Sequence, residues 1–576
     1  MEKKNEKELL QEIENLRSQV EKLKQRKKYG LVWDAEKEPE KVVLDCRKKL
    51  PILVEDKKKE IKGKDDEPVN LLIEGDNYHS LSVLNYTHKG KIDVIYIDPP
   101  YNTGNKNEWK YNDHWVNKDD SWRHSKWLNF MEKRLKLSKS LLKRDGFIAI
   151  SIDDNEIAQL RLLCDEIFGE NNFLAHINRI QSRGGKDDSK FFISDNDYIL
   201  IYARDIDKVS IERVKTKIEG NRYPLKDEIG FYKKRGLEMG GGEGMLKSRP
   251  KMGYSIYFNP TKNDYKILFD YDLAKKDVYE KPNEDLISKG YFCIRPKKIK
   301  GTFGRWRWGG DTFLKNVQDV YIDTKTLRAY TKEREKEFII TPPGCNLQVL
   351  NTAGTKQLKS ILKNTNFNFP KPSELIKYIL ERNGNKKAKI LDFFAGSGTT
   401  GQAVSELNAS DQGKRSFVLC TNNEDNNGDG EKVAENICYP RIKHILIKKG
   451  NLRYHKTDFV ETENLDHATD KDKIKLTHKA GEMIAIREET FDEVEKDEWW
   501  QIFSNGKEAT AIYFKEDKSK LQKLVDKVDK MDKKVNLYIF SWGKNEYANE
   551  FPEYKNIKVK DIPEPLIDVY KEVANL

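Results

Sequence analysis

The chain has 576 residues, more than one hydrophobic core serves, so about two to four domains are expected. Charged residues make up 35% and hydrophobic residues 37%, with ten Trp and 26 Tyr, which excludes a disordered chain; no apolar run approaches the ~20 residues of a membrane span, and "MEKKNEKELL" lacks an apolar signal core, so a cytoplasmic protein is expected. The net charge of +11 is uneven, basic across 176–370 and acidic from 451 onward, which suggests that the middle of the chain meets a polyanion.

Taken in order, Leu9, Ile13, Leu16, Val20 and Leu23 form the apolar seam of a short amphipathic helix within 1–30. It is expected to dock on its own protein or on a second copy. From about residue 70, strands and helices alternate. "VNLLIEGDN" reads as a strand ending at Asp76, "YHSLSVLNYTH" as a helix, and "IDVIYI" as a buried strand ending at Asp98. Leu128, Met131, Leu135 and Leu142 mark one face of a long helix before the strand "GFIAISIDD". Asp153 and Glu156 have the spacing of a capping box, and Gly169 ends the helix that follows. Such alternation predicts a parallel sheet covered on both faces.

Between 176 and 370 the rhythm breaks into basic, aromatic and glycine-rich pieces such as "RIQSRGGKDD" and "KKIKGTFGRWRWGG". The α/β pattern returns with "KPSELIKYIL", "KAKILDFFAGSGTTGQAVSEL" and "SFVLC", and a mixed region follows from 451. The six cysteines include no CxxC pair and the histidines show no ligand spacing, so no metal and no disulfide framework are expected.

Gly396, Gly398 and Gly401 satisfy GxGxxG between a strand and a helix, a pattern shared by nucleotide-type cofactor sites and by purely structural turns. The Lys of a phosphate-binding P-loop is missing, which argues against ATPase chemistry. Asp392, at the strand end, would repel a diphosphate and tolerate an amino-acid-bearing nucleoside.

Asp98-Pro99-Pro100-Tyr101 ends a buried strand, where open α/β sheets bind ligands. Two prolines remove two donors and stiffen the backbone, leaving the Asp98 carboxylate and the Pro99 carbonyl as an acceptor edge suited to an exocyclic amino group. The Tyr101 ring can stack on a flat base.

With "DFFAGSG" downstream of "DPPY", the chain resembles the β-class of adenine-N6 DNA methyltransferases, with the catalytic motif first and the cofactor motif later. "YGLVWD", "LLIEGDNYHSLSVLNYTHKGKIDVIYIDPPYNTGN" and "DNDYILIYAR" extend the likeness to the modification (Mod) subunits of type III restriction systems. The resemblance implies an α/β fold: a Rossmann-like, S-adenosylmethionine-dependent methyltransferase core of permuted motif order, with an inserted target-recognition domain and a C-terminal α+β domain. The corresponding divisions are 1–30, a catalytic half at 31–175, target recognition at 176–370, a cofactor half at 371–450 and an assembly domain at 451–576.

Carried over by the resemblance, Asp98, Pro99, Pro100 and Tyr101 would grip and stack an adenine flipped out of the duplex. Asp392, Phe393, Phe394, Ala395, Gly396, Ser397, Gly398 and Thr399 would hold the cofactor, with Glu424 at its ribose. Lys371, Pro372 and Ser373 would help close that pocket, and Asp76 would flank it. Arg183, Lys186, Arg305 and Arg307 are candidate DNA contacts, although Arg305 to Trp308 also fit a strand with Trp inside and Arg solvated. The implied reaction is methylation of adenine N6 in a short duplex sequence, with a homodimer and a helicase-nuclease (Res) restriction subunit as possible partners. The alternatives are a recognition and assembly subunit active only with its partner, and an orphan or RNA adenine methyltransferase.

Overall fold

The computed structural model describes residues 40–576 except 65, 104–121, 183–191, 193, 218–221, 241–243, 276–277, 300, 337, 366, 368, 424–429, 431, 448, 463–464, 466–467, 543–546, 548–549 and 576. The expected N-terminal helix, Arg183, Lys186 and Glu424 lie outside the described residues. The chain divides into two compact units, 213–342 and the remainder on either side of it.

The larger unit is built on a ten-stranded sheet. Its strands are β1 (Lys49–Glu55), β2 (Val69–Glu74), β3 (Ile92–Ile97), β4 (Leu142–Ile152), β5 (Phe173–Ile180), β6 (Asn196–Ala203), β7 (Asn346–Gln348), β8 (Lys389–Asp392), β9 (Ser416–Thr421) and β10 (Asn451–Glu461). Their order is β1-β10-β2-β9-β8-β3-β4-β6-β5-β7. The strands from β10 to β4 run parallel, as the alternating pattern predicts. The flanks correct that expectation, because β1 pairs antiparallel with β10, and β6 antiparallel with both β4 and β5. The connection from β5 to β6 is only 15 residues, and an antiparallel pair needs no crossover.

Every residue of β3 and β9 is buried, because helices cover both faces of the sheet. Ile95 and Ile97 join one core with α1 (Asn77–Thr87), α2 (Arg123–Leu141) and α3 (Ile157–Phe168). Val94 and Tyr96 point the other way, into a core with α4 (Ser373–Leu380), α5 (Thr399–Asp411) and α6 (Tyr439–Leu446). Asp76 caps α1, accepting from Tyr78 N at 2.7 Å. The expected capping box at α3 does not form; Glu156 is itself the residue before the helix, and its carboxylate is drawn into the interior toward Asn102.

After β10 comes a second sheet of β11 (Asp492–Lys496), β12 (Trp500–Ser504), β13 (Glu508–Tyr513), β14 (Lys534–Phe540) and β15 (Ile557–Ile562), paired in sequence order. Two helices, α7 (Gly481–Arg487) and α8 (Glu564–Ala574), pack on α1. Phe503, Ile512, Leu566 and Tyr570 thereby share the core of β1 and α1. The C-terminal segment is therefore continuous with the large sheet, and β10 places the boundary beyond 451.

The smaller unit is narrower than the expected 176–370, because 176–212 and 343–370 contribute β5, β6 and β7 to the large sheet. It contains a three-stranded sheet centred on Ser255–Asn259 and a four-stranded sheet centred on Arg328–Arg334 and Phe231–Gly236. Leu237, Tyr254, Ile256, Trp306 and Phe313 form its own core. Among the described residues, no helix of the chain is long and apolar enough to cross a membrane.

Candidate active site

The sheet brings two distant segments together. Ile390 and Leu391 of β8 pair in parallel with Val94 and Ile95 of β3, so the glycine turn after Asp392 and the tetrapeptide after Ile97 leave neighbouring strands at the same, carboxyl edge. That edge is where a doubly covered parallel sheet presents its loops to ligands.

At the tetrapeptide, Trp127 of α2 donates its indole N–H to the Pro100 carbonyl at 2.7 Å, which fixes the turn from the helix side. The Pro99 carbonyl accepts from no described residue. Tyr101 donates its hydroxyl to Asp98 Oδ1 at 2.7 Å, and Lys371 Nζ donates to the same oxygen at 2.9 Å and to Tyr101 Oη at 2.6 Å. Burial, with the Asp98 carboxylate alongside, pushes the Tyr101 hydroxyl well above the ordinary phenol range, so it remains a donor.

Next to Tyr101, Asn102 takes a left-handed φ of 59°. Its side chain donates to Glu156 Oε1 at 2.5 Å, and His124 Nδ1 lies 2.6 Å from the same oxygen. Burial raises the Glu156 carboxyl above its usual range. Sequence reasoning did not single out Asn102, and it read Glu156 only as part of a capping box; the Asn directly after DPPY, a residue type that tolerates the left-handed conformation, is the signal that could have found the pair.

The glycine turn is tied together by Asp392, whose Oδ1 accepts from Phe394 N at 3.0 Å and whose Oδ2 accepts from Thr400 Oγ1 at 2.5 Å. The Asp392 side chain is only 3% exposed, and both its oxygens are engaged within the turn. Burial pushes its carboxyl up to about 7. Gly396 and Gly398 adopt φ of 49° and 79°, and a Cβ at Gly398 would lie 3.0 Å from Cys438 Sγ. Only glycine takes this conformation in so confined a space without strain.

Beneath the turn lies Arg441 of α6, a residue that sequence reasoning missed. Fully buried, it donates to Ser397 Oγ and Thr399 Oγ1, each at 2.8 Å, and to Gln402 Oε1 at 2.9 Å. None of these partners is an anion, and burial lowers its guanidinium to about 10. Only a basic residue within an otherwise apolar helix face, "YPRIKHIL", marks it in the sequence.

Of the three residues Lys371 to Ser373, Lys371 reaches the tetrapeptide, while Pro372 and Ser373 open α4. Ser373 N donates to Gln357 Oε1 at 3.1 Å, and its hydroxyl donates to Glu406 at 2.9 Å. Asp76 belongs to the capping of α1, with Arg134 Nη2 at 3.8 Å. In the smaller unit Arg305 is 4% exposed, donating to the Trp306 carbonyl, so it is an interior residue as the structure stands; Trp306 is fully buried. Arg307 is half-buried and donates to the Gly236 and Glu238 carbonyls.

Two polar atoms at the ends of flanking strands are buried with no hydrogen-bond partner among the described residues: Thr421 Oγ1 at the end of β9 and Asn77 Nδ2 beyond β2. Orphaned groups of this kind are costly unless a polar ligand satisfies them. They fit a nucleoside-type cofactor lying along this edge.

A family model described as "DNA methylase" matches residues 92–425. The type III restriction-modification enzyme EcoPI Mod subunit of Escherichia phage P1 is 31% identical over 409 residues, covering 65% of this chain and 60% of that subunit. The type II methyltransferase M.KpnI of Klebsiella pneumoniae is 30% identical over 397 residues, covering 67% of this chain and 90% of that enzyme. Among solved structures, the M1.HpyAVI-SAM complex aligns over 65% of this chain and all of its own, at 12% identity and a TM-score of 0.28.

Proposed function

This chain belongs to the DNA methylase family whose model spans 92–425, and from that membership we propose that it transfers a methyl group from S-adenosylmethionine to the N6 amino group of adenine in duplex DNA. The observation that carries this reading is the parallel pairing of β3 with β8, which sets the acceptor edge of Asp98 and Pro99 beside the glycine turn.

S-adenosylmethionine supplies an electrophilic methyl group; everything else is alignment by the protein. The turn from Asp392 to Thr399 would hold it, with the buried polar groups of Thr421 and Asn77 alongside. A target adenine, flipped from the stack, would give one amino hydrogen to the Asp98 carboxylate and the other to the Pro99 carbonyl, while the Tyr101 ring stacks on the base. Both acceptors draw electron density onto the nitrogen, whose lone pair would form the new N–C bond as the methyl–sulfur bond of the donor breaks and the thioether leaves with that electron pair. The surplus proton leaves the product amine afterwards, so no general base is needed ahead of the transfer. Glu424 would contact the ribose, and Arg183, Lys186 and the half-buried Arg307 the DNA backbone.

Its likeness to type III restriction-modification Mod subunits supports a place in a restriction-modification system, and the proposal extends to a dimer acting in the cytoplasm with a helicase-nuclease partner. The chain spans 60% of the EcoPI Mod subunit, so that assembly is part of the proposal.

The test is incubation of the purified chain, alone, with methyl-labelled S-adenosylmethionine and genomic DNA from cells that lack this enzyme. Label should appear as N6-methyladenine. Asp98→Ala should abolish transfer while leaving cofactor binding within about threefold. Unimpaired transfer in that variant would refute the assignment, and transfer seen only after a restriction partner is added would favour the assembly-subunit reading.

A further inference from the structure

We propose that Lys371 is a positioning residue for methyl transfer: it holds the Asp98 carboxylate by one oxygen so that the other is presented to the target amino group. This inference rests on the proposed methylation of a nucleobase amino group and adds a residue that acts through Asp98.

The two oxygens of Asp98 are used unequally. Oδ1 accepts from Tyr101 Oη at 2.7 Å and from Lys371 Nζ at 2.9 Å. Oδ2 accepts from no described residue, and the side chain is 28% exposed, so this oxygen has both the capacity and the access to receive a further donor. Lys371 simultaneously donates to Tyr101 Oη at 2.6 Å, and its ammonium lies 4.7 Å from the centre of the tyrosine ring. One ammonium thus fixes both the acceptor and the ring on which a base would stack.

Lys371 is itself held from behind. Asp197 Oδ2 lies 3.8 Å from Nζ, and Asp197 is clamped by both nitrogens of Arg179's fork, one of them at 2.5 Å. Arg179 and Asp197 are almost completely buried, and Arg179 also donates to Asn351 at 3.0 Å. A bidentate pair of this kind is geometrically rigid. The chain of contacts runs from β5 and β6 through Lys371 to the end of β3, and it gives a flexible lysine stem, only 10% exposed, a single position.

The consequence for rate follows from geometry. The Asp98 carboxylate turns about two side-chain bonds, and Lys371 holds both its Oδ1 and the Tyr101 hydroxyl that is the other donor to that oxygen; without the ammonium the pair samples orientations in which Oδ2 is not directed at the amino nitrogen. Misplacement of a reacting group by about 1 Å costs on the order of 100-fold in rate.

Lys371→Met keeps the volume and removes the ammonium; Lys371→Arg keeps a donor and the charge. We expect Lys371→Met to lower kcat about 100-fold on unmethylated genomic DNA, with the dissociation constant for S-adenosylmethionine, measured by calorimetry, changed less than about threefold. Lys371→Arg should recover at least about a tenth of the wild-type kcat, which loss of mere packing would not predict. Retention of kcat in Lys371→Met, or a loss accounted for by weaker cofactor binding, would overturn the proposal. Should Lys371→Met fail to fold, Lys371→Gln is subject to the same two readings. Absence of methyl transfer by the wild-type chain would instead overturn the proposed function itself.

Discussion

Replacing Asp392 by Asn should make the protein more stable at alkaline pH relative to the wild type, and less so in acid. The Asp392 carboxyl is 3% exposed, and burial lifts it from 3.8 to about 7. Its folded form therefore prefers the proton. The stability it contributes is complete below pH 3.8 and is lost as pH rises toward 7 and beyond. At 1.36 kcal/mol per pH unit, the full penalty at pH 8 is about 4 kcal/mol, of which about 3 kcal/mol accrues between pH 5 and pH 8. Asn has nearly the same shape, can accept from Phe394 N, and carries no charge to desolvate. Paired urea titrations of the two proteins, followed by tryptophan fluorescence, cancel the titration of all other groups. The stability of Asp392→Asn minus that of the wild type should rise by about 3 kcal/mol from pH 5 to pH 8. An offset equal at the two pH values would refute the view that Asp392 is a buried acid tying the turn together.

Gly398→Ala should destabilise the larger unit by about 2–4 kcal/mol, combining the left-handed backbone with the approach to Cys438, and a shift in urea midpoint would measure it. Arg441→Met should cost less than about 2 kcal/mol, because the buried guanidinium has no anionic partner, yet it should weaken S-adenosylmethionine binding about tenfold by freeing Ser397 and Thr399; calorimetry separates the two effects. Trp306→Ala should remove about 3–5 kcal/mol from the 213–342 unit, visible as protease cleavage confined to that segment.

Much of this architecture was legible because its strands are buried on both faces. "IDVIYI", "KILD" and "SFVLC" read as apolar runs closed by Asp98, Asp392 and the polar segment after Thr421, and each is a central strand. β5 was harder to read: "FLAHINRI" is mostly half-buried and carries Arg179, so it looked like part of the basic insert. The compact unit accordingly begins some 37 residues after the expected 176, at 213. At the site, Asp98 to Tyr101 and the glycine turn were evident from their chemistry. Their partners were not: Asn102 and Arg441 act through contacts made only on folding, Glu156 reads only as a cap, and Lys371, expected at the cofactor pocket, reaches Asp98. Arg305 shows the converse, a cation beside aromatic residues that the fold turns inward.

The sheet order also bears on synthesis. Strand β2 lies between β9 and β10, and β3 has β8 on one side, so the middle of the sheet waits for segments made long after it. A growing chain that has emerged only as far as the inserted unit holds β2 with neither neighbour and β3 with one open flank. Such edges invite pairing with other chains. Ribosome-bound intermediates ending before residue 389 should therefore depend on chaperones, while 213–342, with a core of its own, can settle independently during the delay.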